Sequence, residues 1–227
     1  MRKSSIEPRH LTNWLACKKK FLRFFRNGFK DPKYVSWERG YKWKAHESWN
    51  EMLNKETYKH LLEQKKYEEI AQAAVKIESR TNLLFSFEKM ALRDAIRSKT
   101  GAKAFATGLF DYLYGTRPLK TRFEKFTSMV SALPRKQTRV LTWPLVTVFG
   151  FIAKPEEHIF LKPKVTKEAA RNYDFDLHYS SKPNWETYQY LLAFANRIYK
   201  DVKDLKPKDF IDLQSFIWVM GSEEYSE

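Results

Sequence analysis

Glycine and proline, the residues that most often interrupt regular structure, are scarce in this chain. Its 227 residues include only seven glycines and nine prolines, which predicts long regular elements joined by few loops. Hydrophobic residues make up 43% of the chain and aromatic residues 16%, enough apolar surface to offset the entropy cost of ordering a core. The sequence therefore predicts a folded protein, most simply a single domain over residues 1–227.

Apolar residues recur at helical spacing through most of the chain. The clearest stripe lies in residues 185–203, where Asn184 is a suitable N-cap, and another amphipathic pattern covers residues 11–25. Further helices are predicted at 37–53, 55–64, 67–77, 82–99, 102–114, 119–133, 166–172 and 209–220.

The pattern changes in RVLTWPLVTVFGFIA, residues 139–153. This segment is rich in β-branched and aromatic residues, and Pro144 and Gly150 interrupt it, which favours one or two strands over a helix. A turn at 154–157 and further strands at 158–162 and 175–179 complete the expected sheet. The predicted fold class is α+β, predominantly helical with a small antiparallel β-sheet in the C-terminal half. A sub-boundary near 135 would separate a helical part from a β-hairpin with helices.

The chain is strongly basic, and its basic residues concentrate near the N-terminal end. Lys and Arg number 42 against 27 Asp and Glu, which gives a net charge of +15. Residues 1–50 hold thirteen Lys or Arg and four Asp or Glu, a net of +9, together with ten aromatic residues. Such a charge attracts polyanions such as nucleic acid, an acidic protein or an anionic membrane surface. A basic surface that serves only solubility is the alternative.

The cysteine content and the hydropathy pattern bear on the cellular compartment. With Cys17 as its one cysteine, the chain forms no intrachain disulfide and no cysteine-based zinc site, which fits a reducing compartment. Residues 1–9 carry positive charge but no apolar segment typical of a secretory signal. No run approaches the 18 apolar residues of a membrane span. These features predict a cytoplasmic protein without a membrane span, and they leave its oligomeric state open.

The sequence lacks the motifs of the common enzyme classes. It contains neither GxxxxGK[ST] nor GxGxxG, so a nucleotide cofactor is not expected. Its five histidines form no HxxxH or HExxH pair, and His158 and His178 would meet only if strands 158–162 and 175–179 paired. The sequence therefore favours a protein without catalytic residues, metal or cofactor.

Two acidic patterns keep a metal-dependent nuclease open as an alternative. Residues 63–65 match the short ExK fragment, and Asp209 and Asp212 lie one helical turn apart, so that both could face one cleft. The competing interpretation is that Asp209 interacts with the dipole in the first turn of its helix.

Basic and aromatic residues alternate across residues 14–49. Lys and Arg can neutralise phosphates while aromatic rings stack on exposed bases. This pattern predicts a nucleic-acid-binding surface, although aromatic residues at helical spacing are also typical of a core. The predicted contact residues are Lys18, Lys19, Lys20, Arg23, Arg26, Lys30, Lys33, Arg39, Lys42 and Lys44.

Several segments resemble a pattern found in uncharacterised bacterial proteins. They are LTWPLVTVFGFIAKPEEHIFLKP, PNWETY and DFIDLQSFIWV in the C-terminal half, and WERGYKWKAHESW and NLLFSFEKMALRDA before it. The first three are also similar to modules of restriction-type proteins built around an ATPase of the McrB kind. The resemblance covers most of the chain from about Trp37 onward. It implies a prokaryotic origin and a link to nucleic acid, but it carries over no catalytic residue.

Three functional hypotheses follow from the sequence. The first is a nucleic-acid-binding accessory protein without chemistry of its own, acting on DNA or RNA. The second is a metal-dependent nuclease that uses the C-terminal acidic residues. The third is a protein-interaction module whose charge meets an acidic partner.

Overall fold

The computed structural model of the chain describes residues 9–134 and 140–226. Within these ranges the regular structure is helical and includes no β-strand. A π-helix, Val35–Arg39, joins two of the α-helices, and 3-10 helices span Gly28–Lys30, Lys203–Leu205 and Glu223–Tyr225. The α-helices are α1 (Arg9–Phe24), α2 (Pro32–Tyr34), α3 (Gly40–Met52), α4 (Lys55–Glu63), α5 (Tyr67–Glu78), α6 (Ser86–Ala95), α7 (Lys99–Tyr114), α8 (Leu119–Ala132), α9 (Trp143–Ala153), α10 (Pro163–Asn172), α11 (Trp185–Asp201) and α12 (Phe210–Gly221).

The helices predicted from apolar periodicity are present, with ends that differ from the prediction by a few residues. Side-chain caps account for several of the observed starts. Asn184 begins α11 by accepting a hydrogen bond from the Thr187 amide at 2.9 Å, and Asn54 begins α4 by accepting one from the Thr57 amide at 2.9 Å. These caps satisfy amides that have no partner within the helix.

The predicted β-sheet is wrong, because residues 143–153 form helix α9. Every residue of this helix is buried, so it needs no polar face and shows no amphipathic period. The Thr142 side chain caps its start, and Pro144 lies in the first turn, where its missing N–H costs nothing. Continuous apolar character therefore marks a helix surrounded by the core on all sides.

Gly150 interrupts the apolar segment for a packing reason rather than to make a turn. A Cβ atom at this position would lie 2.8 Å from Cγ of His158 and 3.1 Å from the ring of Tyr112. The absence of a side chain thus lets the His158 imidazole pack directly against the backbone of α9.

The other two expected strands are also absent. Residues 158–162 form no strand, and two of their amides donate to side chains rather than to a neighbouring strand: the Leu161 amide to Thr147 Oγ1 at 3.0 Å and the Ile159 amide to the Tyr188 hydroxyl at 3.3 Å. In the segment 175–179, His178 has a φ of 42°, a left-handed conformation that a strand does not accommodate.

The buried side chains form a core that draws on helices from both halves of the chain. Helices α10 and α12 approach closely, since a Cβ on Gly221 would lie 2.0 Å from the carbonyl oxygen of Val165. The sub-boundary predicted near 135 falls beside residues 135–139, which lie outside the described residues. Within the described ranges, no helix has the length and apolar character needed to cross a membrane.

Candidate functional site

The ten basic residues predicted to bind nucleic acid divide into an exposed group and a buried pair. Arg39 and Lys42 are buried. Lys18 is half-buried and donates a hydrogen bond to Asp204 at 2.6 Å. The residues that are exposed or half-buried are Lys18, Lys19, Lys20, Arg23, Arg26, Lys30, Lys33 and Lys44.

Arg39 holds together a buried polar group, the Arg39 cluster, which consists of Tyr34, Arg39, Asp209 and Asp212. The guanidinium donates to both oxygens of Asp209, at 2.9 and 2.6 Å, and to Asp212 at 2.7 Å. The Tyr34 hydroxyl donates to the same Asp212 oxygen at 2.6 Å. Burial alone would lower the pKa of Arg39, but the two carboxylates outweigh it and raise that pKa. Arg39 therefore joins the π-helix to the start of α12 and is not available to a phosphate.

Lys42 belongs to a second buried polar group nearby. Its ammonium donates to Glu38 at 2.9 Å and to the Ser215 hydroxyl at 2.8 Å. The other Glu38 oxygen accepts a hydrogen bond from the Tyr225 hydroxyl at 2.6 Å. Lys42, like Arg39, is thus a structural cation.

The acidic residues considered for a nuclease are engaged in these contacts. Asp209 is the N-cap of α12 and accepts from the Ile211 amide at 2.9 Å, while Asp212 also accepts from the Lys208 amide at 2.8 Å. In the ExK fragment, Glu63 pairs with Lys59 on the exposed face of α4. Among the residues that the structure describes, no group of three His, Cys, Asp or Glu side chains is placed to hold a metal ion.

The two histidines that a sheet would have brought together have different surroundings. His158 is fully buried, with its Nδ1 3.0 Å from the Tyr112 hydroxyl, whereas His178 is exposed. Cys17 is also buried, and burial raises the pKa of its thiol to about 11. This thiol therefore lacks the low pKa that a reactive cysteine needs.

The aromatic residues of the basic segment are mostly core residues, but two of them are exposed. Trp37 is 55% exposed and Trp43 36% exposed. The Lys33 ammonium lies 4.2 Å from the centre of the Trp37 ring and 6.0 Å from that of Phe24 at the end of α1. Lys33 thus connects the exposed basic surface of α1 to Trp37.

Trp37 lines a concave feature of the structure, an aromatic cleft of about 730 Å³. This volume falls within the range of about 300–1,000 Å³ that is usual for sites that bind small molecules. Residues of the π-helix, of the segment before α6 and the start of α6, of the starts of α9 and α10, and of α12 line it. Its lining includes Trp37, Tyr41, Phe85, Phe87, Trp143, Tyr179, Trp218, Glu38, Glu88, Lys162, Lys164 and Gln214.

Exposed ring faces give the aromatic cleft much of its surface. Phe85 is 53% exposed and Phe87 48% exposed, and their rings stack with centres 5.5 Å apart. Large apolar side chains are usually buried, and a group of exposed ones marks an interaction site. Trp37 lies in a π-helix, a rare element that recurs at functional sites.

Glu88 and Lys162 are buried charged residues in the cleft wall. Glu88 accepts hydrogen bonds from the Phe85 amide at 3.0 Å and from the Thr142 hydroxyl at 2.7 Å. The Lys162 ammonium donates to the Leu83 carbonyl oxygen at 2.8 Å and lies 3.4 Å from the centre of the Phe85 ring. Burial lowers the pKa of Lys162, and the charge of Glu88 opposes this shift.

Gln214 is another buried polar residue of the cleft wall, and it differs from Glu88 and Lys162. It lies in the middle of α12, is 3% exposed and lines the cleft. Its Oε1 atom is buried and accepts no hydrogen bond from any described residue. A buried carbonyl oxygen without a partner is rare in native proteins, so this atom is a candidate acceptor for a ligand donor.

The prediction from sequence did not find the aromatic cleft, because its walls come from segments far apart in the chain. Phe85, Lys162 and Gln214 have no local motif in common. One signal was present, namely the polar residues of DFIDLQSFIWV within an otherwise apolar helix. Asp212 and Ser215 serve the fold through their contacts with Arg39 and Lys42, which leaves Gln214 as the unexplained one.

Comparisons with family models, curated proteins and solved structures gave no match for this chain. The resemblance to uncharacterised bacterial proteins and to McrB-type modules therefore stays a prediction. Any functional conclusion has to come from the chemistry of the aromatic cleft and of the basic surface beside it.

Proposed function

We propose that the protein binds single-stranded DNA or RNA, with one unstacked base in the aromatic cleft and the neighbouring phosphates on the exposed basic surface. The observation that carries this proposal is the set of exposed ring faces at the mouth of a cleft whose wall includes an unpartnered hydrogen-bonding group. Aromatic faces bind bases by stacking, and a polar side chain can then bind the base edge.

The charges inside the aromatic cleft favour a neutral ring over a phosphate. Both signs line the cleft, and Glu38 is neutralised by Lys42 while Lys164 pairs with Glu223 at 2.7 Å. A site without excess positive charge has little attraction for a phosphate but suits a nucleobase, which is planar, neutral and polar at its edge.

The phosphates have a separate surface beside the cleft. Lys33 stacks on Trp37 and is exposed, and Lys30 and Arg26 are exposed in the segment that follows α1. These cations supply the sequence-independent part of the affinity through counterion release. A duplex presents its bases only at the groove edges, so this arrangement favours single strands. We further propose that the protein works in the cytoplasm, where the lone thiol of Cys17 would stay reduced.

Fluorescence anisotropy with labelled single- and double-stranded oligonucleotides of one sequence tests the proposal, from about 50 to 200 mM salt. We expect single strands to bind more tightly than duplexes, with an affinity that falls steeply with salt. Lys30→Glu combined with Lys33→Glu should weaken binding and flatten the salt dependence. The matched control is Lys55→Glu with Lys99→Glu, which makes the same charge change at the exposed starts of α4 and α7, helices that contribute no residue to the cleft.

A pair of tryptophan variants tests the cleft itself. Trp37→Ala removes an exposed ring at the cleft, and we expect a loss of about 1–3 kcal/mol in binding, the usual contribution of one stacked base. Trp43→Ala removes a less exposed ring outside the cleft, which packs against Arg39, and should leave the affinity nearly unchanged. Equal losses in the two variants, or no binding of single strands at low salt, would contradict the proposal.

A further inference from the structure

Gln214 is an exception among the polar residues of α12. Asp212 accepts from Arg39 and Tyr34, and the Ser215 hydroxyl accepts from Lys42 and donates to the Ile211 carbonyl oxygen at 2.8 Å. The Oε1 atom of Gln214 has no such partner among the described residues. Because a buried acceptor without a donor destabilises the fold, an apolar residue would serve the free protein better at this position.

The buried carboxylates of the cleft wall are already paired, whereas the Gln214 acceptor has no partner among the described residues. Glu88 accepts from Phe85 and Thr142 through its two oxygens, and Glu38 accepts from Lys42 and Tyr225. Gln214 lines the cleft, so a base that enters between the exposed rings would lie against a side chain whose acceptor is unused. A primary amide also carries a donor next to its acceptor, so it can pair with a ligand edge that offers a donor beside an acceptor.

Resting on the proposed function, we infer that Gln214 binds the N6/N7 edge of a purine base in the cleft and so selects adenine over guanine and unsubstituted purine. Adenine presents its N6 amino donor beside the N7 acceptor, and a glutamine amide pairs with these two atoms through both of its own. Guanine presents two acceptors, O6 and N7, at the same edge, which would leave Gln214 Oε1 without a donor. Unsubstituted purine lacks the amino group and leaves Oε1 unpartnered as well.

Anisotropy titrations with three short single-stranded oligonucleotides test this inference. Their central base is adenine, guanine or unsubstituted purine in an otherwise identical pyrimidine sequence. We expect the adenine strand to bind about 5- to 150-fold more tightly than the purine strand, the range of one two-bonded amide–base pair. All three strands should show the same salt dependence, because their phosphate contacts are the same.

Variants of Gln214 assign the selectivity to this side chain. Gln214→Leu keeps the approximate size but neither donates nor accepts, so the adenine and purine strands should bind equally well. Gln214→Glu keeps the acceptor and should retain part of the preference, which provides a second variant if the leucine protein folds poorly. Gln72→Leu, an exposed glutamine on α5 outside the cleft, is the matched control and should behave as the unmodified protein.

The possible outcomes separate this inference from the function on which it rests. If the unmodified protein binds no single strand, the proposed function fails. If it binds the adenine and purine strands equally, base stacking stands but adenine selection by Gln214 is overturned. A preference for adenine that persists in Gln214→Leu would overturn the role of Gln214 and assign the selection to another group.

Discussion

The Arg39 cluster and the aromatic cleft both bury polar and charged groups, but they differ in how completely these groups are paired. In the Arg39 cluster, both carboxylates accept from Arg39, and Asp212 accepts from a tyrosine and a backbone amide as well. In the cleft, Gln214 Oε1 has no partner among the described residues. The Lys162 ammonium there contacts a carbonyl oxygen and a ring rather than a carboxylate.

This difference separates groups that hold the fold together from groups that are available for binding. A buried polar group costs free energy unless it is paired, so complete pairing is what a structural cluster requires. An incompletely paired group in an open cleft is stable only at a cost, and a bound ligand would remove that cost. On this basis the Arg39 cluster is structural, and the aromatic cleft is the proposed binding site.

The largest expected effect is the destabilisation caused by Arg39→Met. This change leaves Asp209 and Asp212 buried without their cation, so we expect the free energy of unfolding to fall by about 3–5 kcal/mol. Urea denaturation at neutral pH measures the loss, and Arg26→Met, at an exposed arginine, provides the control. A loss below about 1 kcal/mol would show that the Arg39 cluster is not what joins α12 to the π-helix.

The next largest expected effect is a loss of stability on acidification, caused by His158. This residue is also buried, and its Nε2 makes no hydrogen bond to a described residue, with Glu157 Oε1 3.9 Å away, but it lies in the core and does not line the cleft. Burial lowers the pKa of His158 from 6.5 to about 3. The unfolded chain therefore binds a proton below pH 6.5 that the folded protein does not bind until about pH 3, and stability falls as the pH decreases through this window.

Between pH 6.5 and pH 5 the loss from His158 should be about 2 kcal/mol, since one pKa unit corresponds to about 1.36 kcal/mol. Denaturation curves at the two pH values measure it. His158→Gln should be less stable at neutral pH, but its stability should change far less across the window, whereas the exposed His60→Gln should behave as the unmodified protein. An unchanged pH dependence in His158→Gln would assign the effect to other groups.

Gln214→Leu should increase stability, whereas Arg39→Met and acidification should decrease it. The change removes a buried acceptor that has no donor, so we expect a gain of about 1 kcal/mol in the free energy of unfolding. The same variant should lose its selectivity for adenine, which would show that this residue is kept for binding at a cost to the fold. A loss of stability instead would place Gln214 with the structural groups of the Arg39 cluster.

How much of the fold the sequence could predict depended on whether each helix has a polar face. The amphipathic helices were predicted because their apolar residues repeat at helical spacing, as in α11. Helix α9 is buried on every face, so its sequence has no such repeat, and its β-branched and aromatic residues suggested strands. Its burial depends on helices from the rest of the chain, and local patterns carry no information about that.

The candidate site was predicted only in part, for a related reason. The basic residues near the N-terminal end could be listed from sequence, but their pairing could not. Arg39 and Lys42 look no different from Lys30 and Lys33 until their partners at 209, 212 and 215 are known. Trp37 was within the predicted surface, whereas Phe85 and Gln214 reach the aromatic cleft only through tertiary packing.

The smallest expected change in stability comes from Lys162, the buried cation of the aromatic cleft, which is compared with Arg39. Lys162→Met removes an ammonium that makes one hydrogen bond and a ring contact but belongs to no ion pair among the described residues. The desolvation cost that disappears should nearly balance the contacts that are lost, so we expect a change of less than about 1 kcal/mol at neutral pH. This is several-fold smaller than the effect of Arg39→Met, although both variants replace a buried cation by methionine.

The pH dependence of the unfolding free energy of Lys162→Met gives an independent check on the state of Lys162. Burial lowers the pKa of Lys162 below its usual 10.5, so the unfolded chain holds a proton more strongly than the folded protein does. The contribution of Lys162 to stability should therefore rise with pH between the two pKa values. The difference in unfolding free energy between the unmodified protein and Lys162→Met should grow in favour of the unmodified protein as the pH approaches 10.5. If Lys162→Met instead lowered the free energy of unfolding by several kcal/mol at neutral pH, Lys162 would be a structural cation like Arg39. The unpartnered Gln214 Oε1 would then be the one remaining feature that distinguishes the cleft from the Arg39 cluster.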